Sequence, residues 1–311
     1  MQAAENAPDT PPSYPGAVAP ERTRTIDSCG IRLHLSEWGD PAATPVVLCH
    51  GMFDHGRGFD TLAPLLAQRF RAIAFDARGH GDSGWCDAYP WGCDVLDVVN
   101  VLRSLGRPAH LVGHSRGGGL STDAAWRVPE LVRQLVNIDG FGPPPEGFGI
   151  PGQARDTRSL ADRLASFLDD RRRATRSHGA SRSYPTLDHL IERRRAQNPR
   201  LGDDWLRYLT FHGARETARG WLWKADLRAA RGFGPWKPEW VGAGWRWLRA
   251  PMLAVIGSEP DTWGPLPESV IGPRLANVPQ LERATVAGAG HFVHMEQPRA
   301  TAELLLAWLE P

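Results

Sequence analysis

The 311-residue sequence predicts an α/β fold with a mostly parallel, eight-stranded sheet flanked by helices. Continuous apolar runs, such as Pro45–Cys49 and Phe70–Phe75, are typical of strands that are buried on both faces of a parallel sheet. Segments with a helical apolar period alternate with these runs, as at Asp94–Leu105. The alternation indicates βαβ units, whose consecutive strands run parallel.

Eight segments have the length and the apolar content of strands. The first two, Thr23–Asp27 and Ile31–Trp38, flank a Ser-Cys-Gly turn, and the second alternates apolar and polar residues. The other six predicted strands are Pro45–Cys49, Phe70–Phe75, His110–Val112, Leu131–Ile138, Pro251–Ile256 and Leu281–Val286. The clearest helical patterns are Thr61–Phe70, Asp94–Leu105, Leu120–Arg127 and Arg299–Leu309.

The alternation stops after the sixth predicted strand. Residues 143–247 carry amphipathic helical segments without a strand pattern, and they begin with three consecutive prolines. We therefore predict a helical cap at 143–247, inserted into a core made of residues 21–142 and 248–311. Residues 1–20 are rich in proline and alanine, which predicts a disordered N-terminal tail.

Composition excludes several classes of protein. The formal net charge of +1 argues against nucleic acid as a partner, although residues 143–247 hold 20 Lys and Arg against 12 Asp and Glu. No run approaches the roughly 20 apolar residues of a membrane span, and the N-terminus lacks the pattern of a signal peptide, so we expect a cytoplasmic protein. The four cysteines have no metal-binding spacing and are expected to be free thiols, although Cys86 and Cys93 share a loop and could pair.

The segment Gly113-His114-Ser115-Arg116-Gly117 carries the strongest chemical signal. An apolar strand precedes it and a helical pattern follows it, so Ser115 is predicted to lie in a sharp turn between strand and helix. The glycines leave room for that turn, and the start of the helix favours a negative charge beside the hydroxyl. This arrangement predicts a nucleophilic serine.

A serine nucleophile needs a base and a carboxylate that orients the base. His291 is the predicted base, because it follows the last strand in the glycine-rich run Gly288–Phe292. Asp261 and Glu259 follow the preceding strand and are both candidates for the acid, and Asp139 at the end of the sixth strand is a third. A loop cap is the favoured interpretation of Asp139, because aspartate commonly ends strands and opens turns.

These motifs resemble those of the α/β-hydrolase family, and in particular its capped serine esterases and lipases. The matching segments are His50-Gly51-Met52-Phe53, Asp76-Ala77-Arg78-Gly79-His80-Gly81-Asp82-Ser83, Gly113–Gly118 and Gly290-His291-Phe292. The resemblance implies the α/β-hydrolase fold and an oxyanion hole made by the backbone N–H groups of Met52 and Arg116. It also implies a Gly-x-x-Asp acid loop, but here Pro260 stands at that position. Asp261 is therefore the first choice for the acid and Glu259 the second.

The sequence thus predicts a serine hydrolase that cleaves carboxylic esters of small or medium, apolar substrates. Phe53, His114, Trp263 and Phe292 are expected to contact the substrate. The spacing of the 11 histidines predicts no metal site, and no cofactor is expected. A serine rather than an aspartate at the turn disfavours haloalkane dehalogenase and epoxide hydrolase chemistry, as the resemblance implies.

Other functions remain open at this stage. The same three residues could act on carbon–carbon bonds, lactones or amides, or in a cofactor-free haloperoxidase. A ligand receptor on a hydrolase scaffold is a less favoured alternative. A catalytically inactive scaffold protein is disfavoured, because the set of candidate catalytic residues is intact.

Overall fold

A computed structural model describes residues 11–87, 89–143, 183–231 and 240–311, together with six positions between 159 and 169. Much of the predicted cap, including Pro144 and Pro145, lies outside the described residues. Within the described part, ten strands form one sheet of eight and one hairpin. The strands are β1 (Arg22–Ser28), β2 (Ile31–Trp38), β3 (Pro45–Cys49), β4 (Arg71–Phe75), β5 (Ala109–His114), β6 (Val132–Ile138), β7 (Ala214–Thr217), β8 (Gly220–Trp223), β9 (Met252–Gly257) and β10 (Leu281–Val286).

The large sheet has the strand order β1-β2-β4-β3-β5-β6-β9-β10. β1 and β2 pair antiparallel, as do β2 and β4, and all the other neighbours are parallel. The predicted fold class, an α/β-hydrolase fold with a mostly parallel sheet of eight strands, is confirmed. Because parallel strands end at one edge, the loops after β3, β5, β6, β9 and β10 lie together there.

Helices cover both faces of the sheet. They are α1 (Ala63–Leu66), α2 (Trp91–Arg103), α3 (Arg116–Arg127), α4 (Leu187–Gln197), α5 (Asp203–His212), α6 (Glu268–Leu275), α7 (Val293–Glu296) and α8 (Pro298–Trp308). The helix predicted at Thr61–Phe70 is much shorter than expected and follows a 3₁₀ turn at Gly56–Phe59. Pro64 in the first turn of α1 accounts for the late start, because proline cannot donate to a preceding turn.

The core consists of two apolar clusters, one on each face of the large sheet. Successive residues of β5 alternate between them: Leu111 packs in the cluster with α2 and α3, and Val112 packs in the cluster with α1 and α8. Both side chains are fully buried, which stabilises the fold by about 1.5–3 kcal/mol for each such residue. The continuous apolar strand patterns follow from this burial on both faces.

The segment between β6 and β9 contains a β-hairpin as well as helices. β7 and β8 pair antiparallel, so the prediction of a segment without strands is wrong there. The strands have only four residues each, which is too short for a period-2 pattern to appear in the sequence. Trp221 in β8 also exchanges two backbone hydrogen bonds with Tyr184, of 2.7 and 2.8 Å. Tertiary contacts therefore stabilise this hairpin.

Residues 11–20 are ordered against the core, so the prediction of a disordered tail at 1–20 is wrong for that half. The Val18 N–H donates to the Asp60 carbonyl at 2.9 Å, and the Trp38 indole donates to the Val18 carbonyl at 2.9 Å. The ring of Tyr14 lies 4.7 Å from that of Trp205. Residues 1–10 lie outside the described residues.

The structure also bears on membrane-spanning helices and on disulfides. None of the helices in the described ranges has both the length and the apolar content that crossing a bilayer requires. No disulfide joins any two of the four cysteines, all of which lie among the described residues, so Cys86 and Cys93 do not pair.

Candidate active site

Ser115 lies in the sharp turn between β5 and α3. Its backbone is in the left-handed region at φ 54° and ψ −122°, a conformation that costs a non-glycine residue about 1–3 kcal/mol. Its N–H donates to the Ile138 carbonyl at 2.8 Å. A Cβ atom on Gly113 would lie 2.3 Å from the Gly117 carbonyl oxygen, and one on Gly117 would lie 2.2 Å from the Cys49 carbonyl oxygen. The predicted need for glycine on both sides of Ser115 is confirmed.

His291 forms a buried pair with Asp139. The imidazole Nδ1–H donates to Oδ2 of Asp139 at 2.6 Å, and both residues are more than nine-tenths buried. Asp139 directly follows β6 and also has a left-handed backbone, at φ 48°. Its N–H donates to the Val255 carbonyl of β9 at 2.9 Å, which holds the turn against the sheet. This bond fixes the imidazole with Nε2 available as a base.

Asp261 does not contact the imidazole ring through its carboxylate, and the prediction that it orients His291 is therefore wrong. Its Oδ2 accepts the backbone N–H of His291 at 3.2 Å, and its Oδ1 accepts the N–H of Thr262. The Asp261 N–H closes a tight turn onto the Gly264 carbonyl at 2.7 Å. This turn directs the carboxylate toward the backbone of the histidine loop.

Glu259, the second predicted acid, accepts a hydrogen bond from the Ser258 hydroxyl at 2.9 Å. From the sequence, Asp139 is only the third choice for the acid, because an aspartate after a strand is usually a turn residue. The sheet order provides the missing information, since β6 lies directly beside β5 whereas β9 is one strand further away. Gly264 also leaves the space that the pair needs, because a Cβ there would lie 2.4 Å from Oδ2 of Asp139.

Met52 and Arg116, the predicted oxyanion donors, lie in the loop after β3 and in the first turn of α3. The N-terminus of a helix carries unpaired N–H groups and a partial positive charge, which suits a developing oxyanion. The Arg116 guanidinium is paired with the buried carboxylate of Asp94 and lies 5.8 Å from the ring centroid of Trp91. Burial raises the pKa of Asp94 to about 6, even with Arg116 beside it.

The residues predicted to contact a substrate fall into two groups. Phe53 and Phe292 are half-buried, and the Phe292 ring lies 5.2 Å from that of His114. Trp263 is 40% exposed, and its indole donates to the Gln197 carbonyl of α4 at 2.8 Å. His114 is only 1% exposed, and its Nε2–H donates to the His291 carbonyl at 2.9 Å, so it holds the histidine loop to the nucleophile turn.

The segment between β6 and β9 is attached to the core beside this edge of the sheet. Arg194 of α4 donates to the Phe53 carbonyl at 2.9 Å, and the Tyr208 hydroxyl accepts from Arg57 at 2.8 Å. On the other side, the Tyr89 hydroxyl donates to Asp226 at 2.6 Å. These contacts cover the loop after β3 and the loop after β4 with residues from the inserted segment.

Several histidines lie buried at the same edge in their neutral form. His50 donates from Nδ1 to the Gly51 carbonyl at 2.7 Å and accepts the Ala77 N–H at 2.9 Å, and His80 bonds the Arg78 carbonyl at 2.9 Å. Both imidazoles therefore hold the backbone of the loops after β3 and β4. Desolvation by burial lowers the pKa of both imidazoles.

We expect the free energy of unfolding to fall as the pH is lowered from about 6.5 to 4. Burial holds the pKa of His294 at about 4, so the folded protein cannot take up a proton that the unfolded chain binds at about 6.5. The contribution of His294 that is lost over this interval is about 3 kcal/mol. Burial also lowers the pKa of His50, His80 and His114, so these three histidines likewise reduce the free energy of unfolding as the pH falls.

Two carboxyl groups oppose this effect, because burial raises the pKa of Asp60 and of Asp94 to about 6. Both take up protons in the folded protein below pH 6, which stabilises it. Urea unfolding at a series of pH values measures how steeply the free energy of unfolding changes with pH. We expect this pH dependence to be weaker for His294→Gln than for the wild type. An equal pH dependence would contradict the contribution assigned to His294.

The profile of the Alpha/beta hydrolase family matches residues 46–304. A 2-(acetamidomethylene)succinate hydrolase of Mesorhizobium japonicum is 29% identical over 293 residues, covering 93% of this chain and 95% of that protein. An esterase of Mycobacterium tuberculosis is 27% identical over 279 residues, which cover 88% of this chain and 85% of that esterase. Two serine hydrolase-like relatives, from Danio rerio and Dictyostelium discoideum, match over only 57% and 33% of their own length.

Solved structures agree in fold. A thioesterase domain from the curacin biosynthetic pathway superimposes with a TM-score of 0.76, at 22% identity, over 92% of this chain and 99% of that domain.

Proposed function

Because the chain belongs to the Alpha/beta hydrolase family, we propose that it is a serine hydrolase that cleaves carboxylic esters through Ser115, His291 and Asp139. Membership of the family supports a hydrolase, and the ester substrate and the roles of the three residues are the finer parts of the proposal. The observation that carries it is the buried hydrogen bond of 2.6 Å from His291 to Asp139. It supports a base held in one tautomer at the edge of the sheet where Ser115 follows β5.

In the proposed reaction, Nε2 of His291 takes the proton of the Ser115 hydroxyl as Oγ attacks the ester carbonyl. The N–H groups of Met52 and Arg116 stabilise the oxyanion, a contribution of several kcal/mol in enzymes of this type. The imidazolium then protonates the leaving alcohol, and an acyl group remains on Ser115. Water, deprotonated by the same imidazole, attacks the acyl carbonyl and releases the acid. Asp139 stabilises the imidazolium in both steps.

The domain organisation forms part of the proposal. We assign the cap to residues 143–247 and the core to residues 21–142 and 248–311. The contacts of Arg194 with the Phe53 carbonyl and of Trp263 with the Gln197 carbonyl support a substrate pocket between cap and core. Half-buried Phe53 and Phe292 support an apolar substrate of small or medium size.

One observation favours a second candidate, an amide as the substrate. The similarity to a hydrolase named for 2-(acetamidomethylene)succinate extends over 93% of this chain. An acetamido compound contains an amide bond, and the same three residues could cleave it with an amine or enamine as the leaving group. The ester remains the first candidate, because it needs less activation of the leaving group.

We expect a fluorophosphonate probe to label the full-length protein at one site, Ser115, as identified by peptide mass spectrometry. A panel of p-nitrophenyl esters from acetate to decanoate, tested beside matched anilides and a β-diketone, then identifies the bond. We expect ester turnover to exceed anilide turnover by at least about 10²-fold. Turnover of the anilides or the diketone alone would contradict the ester proposal, and labelling elsewhere than Ser115 would contradict the assigned nucleophile.

A further inference from the structure

Three metal-ligating side chains lie together beneath the candidate active site. Asp54, His114 and His294 each direct one potential ligand atom into a region in which these atoms lie within 4.8 Å of one another. The three residues are at most 2% exposed. They come from the loop after β3, the end of β5 and helix α7. Because the three elements are far apart in sequence, the spacing of histidines along the chain did not predict this cluster.

Four polar atoms of this cluster have no hydrogen-bond partner among the described residues. Oδ2 of Asp54, Nδ1 of His114 and both ring nitrogens of His294 are buried and form no hydrogen bond there. A buried polar group without a partner costs about 1–3 kcal/mol, and such groups are few in folded proteins. One ring nitrogen of neutral His294 carries a proton, so the cluster offers one lone-pair atom from each of its three residues, which indicates a bound ligand that accepts lone pairs.

His114 is held in a tautomer that leaves one ring nitrogen available to a ligand. Its Nε2 is 2.9 Å from the His291 carbonyl oxygen, which can only accept, so Nε2 carries the proton and Nδ1 keeps its lone pair. Metal-binding histidines usually donate their other ring N–H to a carbonyl or carboxylate in this way.

From this geometry we propose that Asp54, His114 and His294 bind a divalent transition-metal ion, with Zn²⁺ as the best match. Two imidazole nitrogens and one carboxylate oxygen form a ligand set that suits Zn²⁺, and a water molecule completes four-fold coordination. Ligand atoms about 2.0–2.1 Å from the metal are about 3.3 Å apart, so the cluster closes slightly on binding. His294 can make this adjustment, because no hydrogen bond holds its ring.

Arg194 is the cation that faces this cluster, and it leaves the required oxygen free. Its guanidinium lies 3.3 Å from Oδ1 of Asp54, whereas the unpartnered atom is Oδ2. The carboxylate can therefore bridge the guanidinium and the metal ion. The net charge of the ion, the carboxylate and the guanidinium is +2, which is why we expect moderate rather than very tight binding.

A second group of similar composition, formed by His34, Asp76 and Asp82, does not have unpartnered carboxylates. Asp76 accepts the backbone N–H groups of Gly56 at 2.6 Å and of Asp82 at 2.8 Å. Asp82 is paired with Lys224 at 2.9 Å. Its carboxylates thus already have partners, and the proposal is confined to the first cluster.

An ion at this site would join three elements that carry the proposed catalytic groups. Asp54 lies two residues after Met52, His114 directly precedes Ser115, and His294 lies three residues after His291. A metal that binds the folded protein and not the unfolded chain raises its stability. The ion would therefore stabilise the edge of the sheet without contacting the substrate.

The test is a titration of the untagged, full-length protein, treated with EDTA, with Co²⁺ as a spectroscopic substitute for Zn²⁺. We expect one equivalent of Co²⁺ to produce the visible absorption of a four-coordinate site without a thiolate charge-transfer band, and Zn²⁺ to displace it and to raise the Tm. His294→Gln and Asp54→Asn should each weaken Co²⁺ binding by at least about 10-fold. His189→Gln, at an exposed histidine, is the matched control and should bind as the wild type does.

Circular dichroism of each metal-free variant shows whether it is folded at the titration temperature. If His294→Gln is unfolded, the Co²⁺ affinity of Asp54→Asn alone tests the proposal. Unchanged Co²⁺ binding in either folded variant would overturn the proposal. Loss of binding in His291→Gln with retention in His294→Gln would move the ion to the proposed catalytic pair. A thiolate band would assign it to cysteine, and no binding at all would leave a buried water as the ligand of the cluster. Fluorophosphonate labelling of Ser115 and the ester panel test the proposed hydrolysis separately from the metal titration.

Discussion

Ser115→Ala is expected to lower kcat/KM for the best p-nitrophenyl ester by about 10⁶-fold. The substitution removes the only group that the proposed mechanism uses to form the acyl intermediate. Binding and the oxyanion donors remain, so a small residual rate above the uncatalysed reaction is expected. Steady-state kinetics on the chromatographically purified variant measures the loss, and the absence of a burst of p-nitrophenol would accompany it.

The structure supplies two controls for this result. Alanine and serine share the strain of φ 54° at position 115, so the Tm of Ser115→Ala should stay within a few degrees of the wild type. Ser104→Ala removes another hydroxyl, at the end of α2, where it donates to the Val101 carbonyl at 2.7 Å, and turnover should be unchanged. Retention of more than about one-hundredth of the turnover in a folded Ser115→Ala protein would contradict the role of Ser115.

Much of the fold could be predicted because its determinants are local. Strands buried on both faces, such as Pro45–Cys49, must be continuously apolar, and the pattern is visible over five residues. The hairpin of β7 and β8 could not be predicted in this way. Its four-residue strands depend on pairing with Tyr184, more than 30 residues earlier in the chain, and such a contact leaves no periodic pattern.

The same distinction applies to the site. Ser115 lies between Gly113 and Gly117, which its sharp turn requires, and His291 follows Gly288 and Gly290, so the sequence identifies both residues from their near neighbours. The choice between Asp139 and Asp261 depends instead on the direction in which two loops turn their carboxylates. The left-handed backbone of Asp139 and the turn that Asp261 closes onto Gly264 decide it, and neither is encoded in a short motif. The contact between His114 and His294 likewise depends on the folded arrangement of β5 and α7.

The second large effect is expected for Asp139→Asn, which should lower kcat by about 10⁴-fold. An asparagine side chain can turn its NH₂ group toward Nδ1 of His291, which then accepts, and the proton moves to Nε2. In that tautomer the imidazole cannot take the proton of the Ser115 hydroxyl. The variant keeps the shape of the buried pair, so the loss would reflect the charge and the tautomer rather than a cavity.

Asp261→Asn is the matched comparison, because Asp261 contacts the same histidine only through its backbone N–H at 3.2 Å. An asparagine oxygen can still accept that hydrogen bond, so we expect kcat to fall by less than about tenfold. A larger loss for Asp261→Asn than for Asp139→Asn would return the role of the acid to Asp261. The double variant adds a further criterion: separate roles predict that the two effects multiply, whereas a shared role predicts that the second substitution adds little to the first.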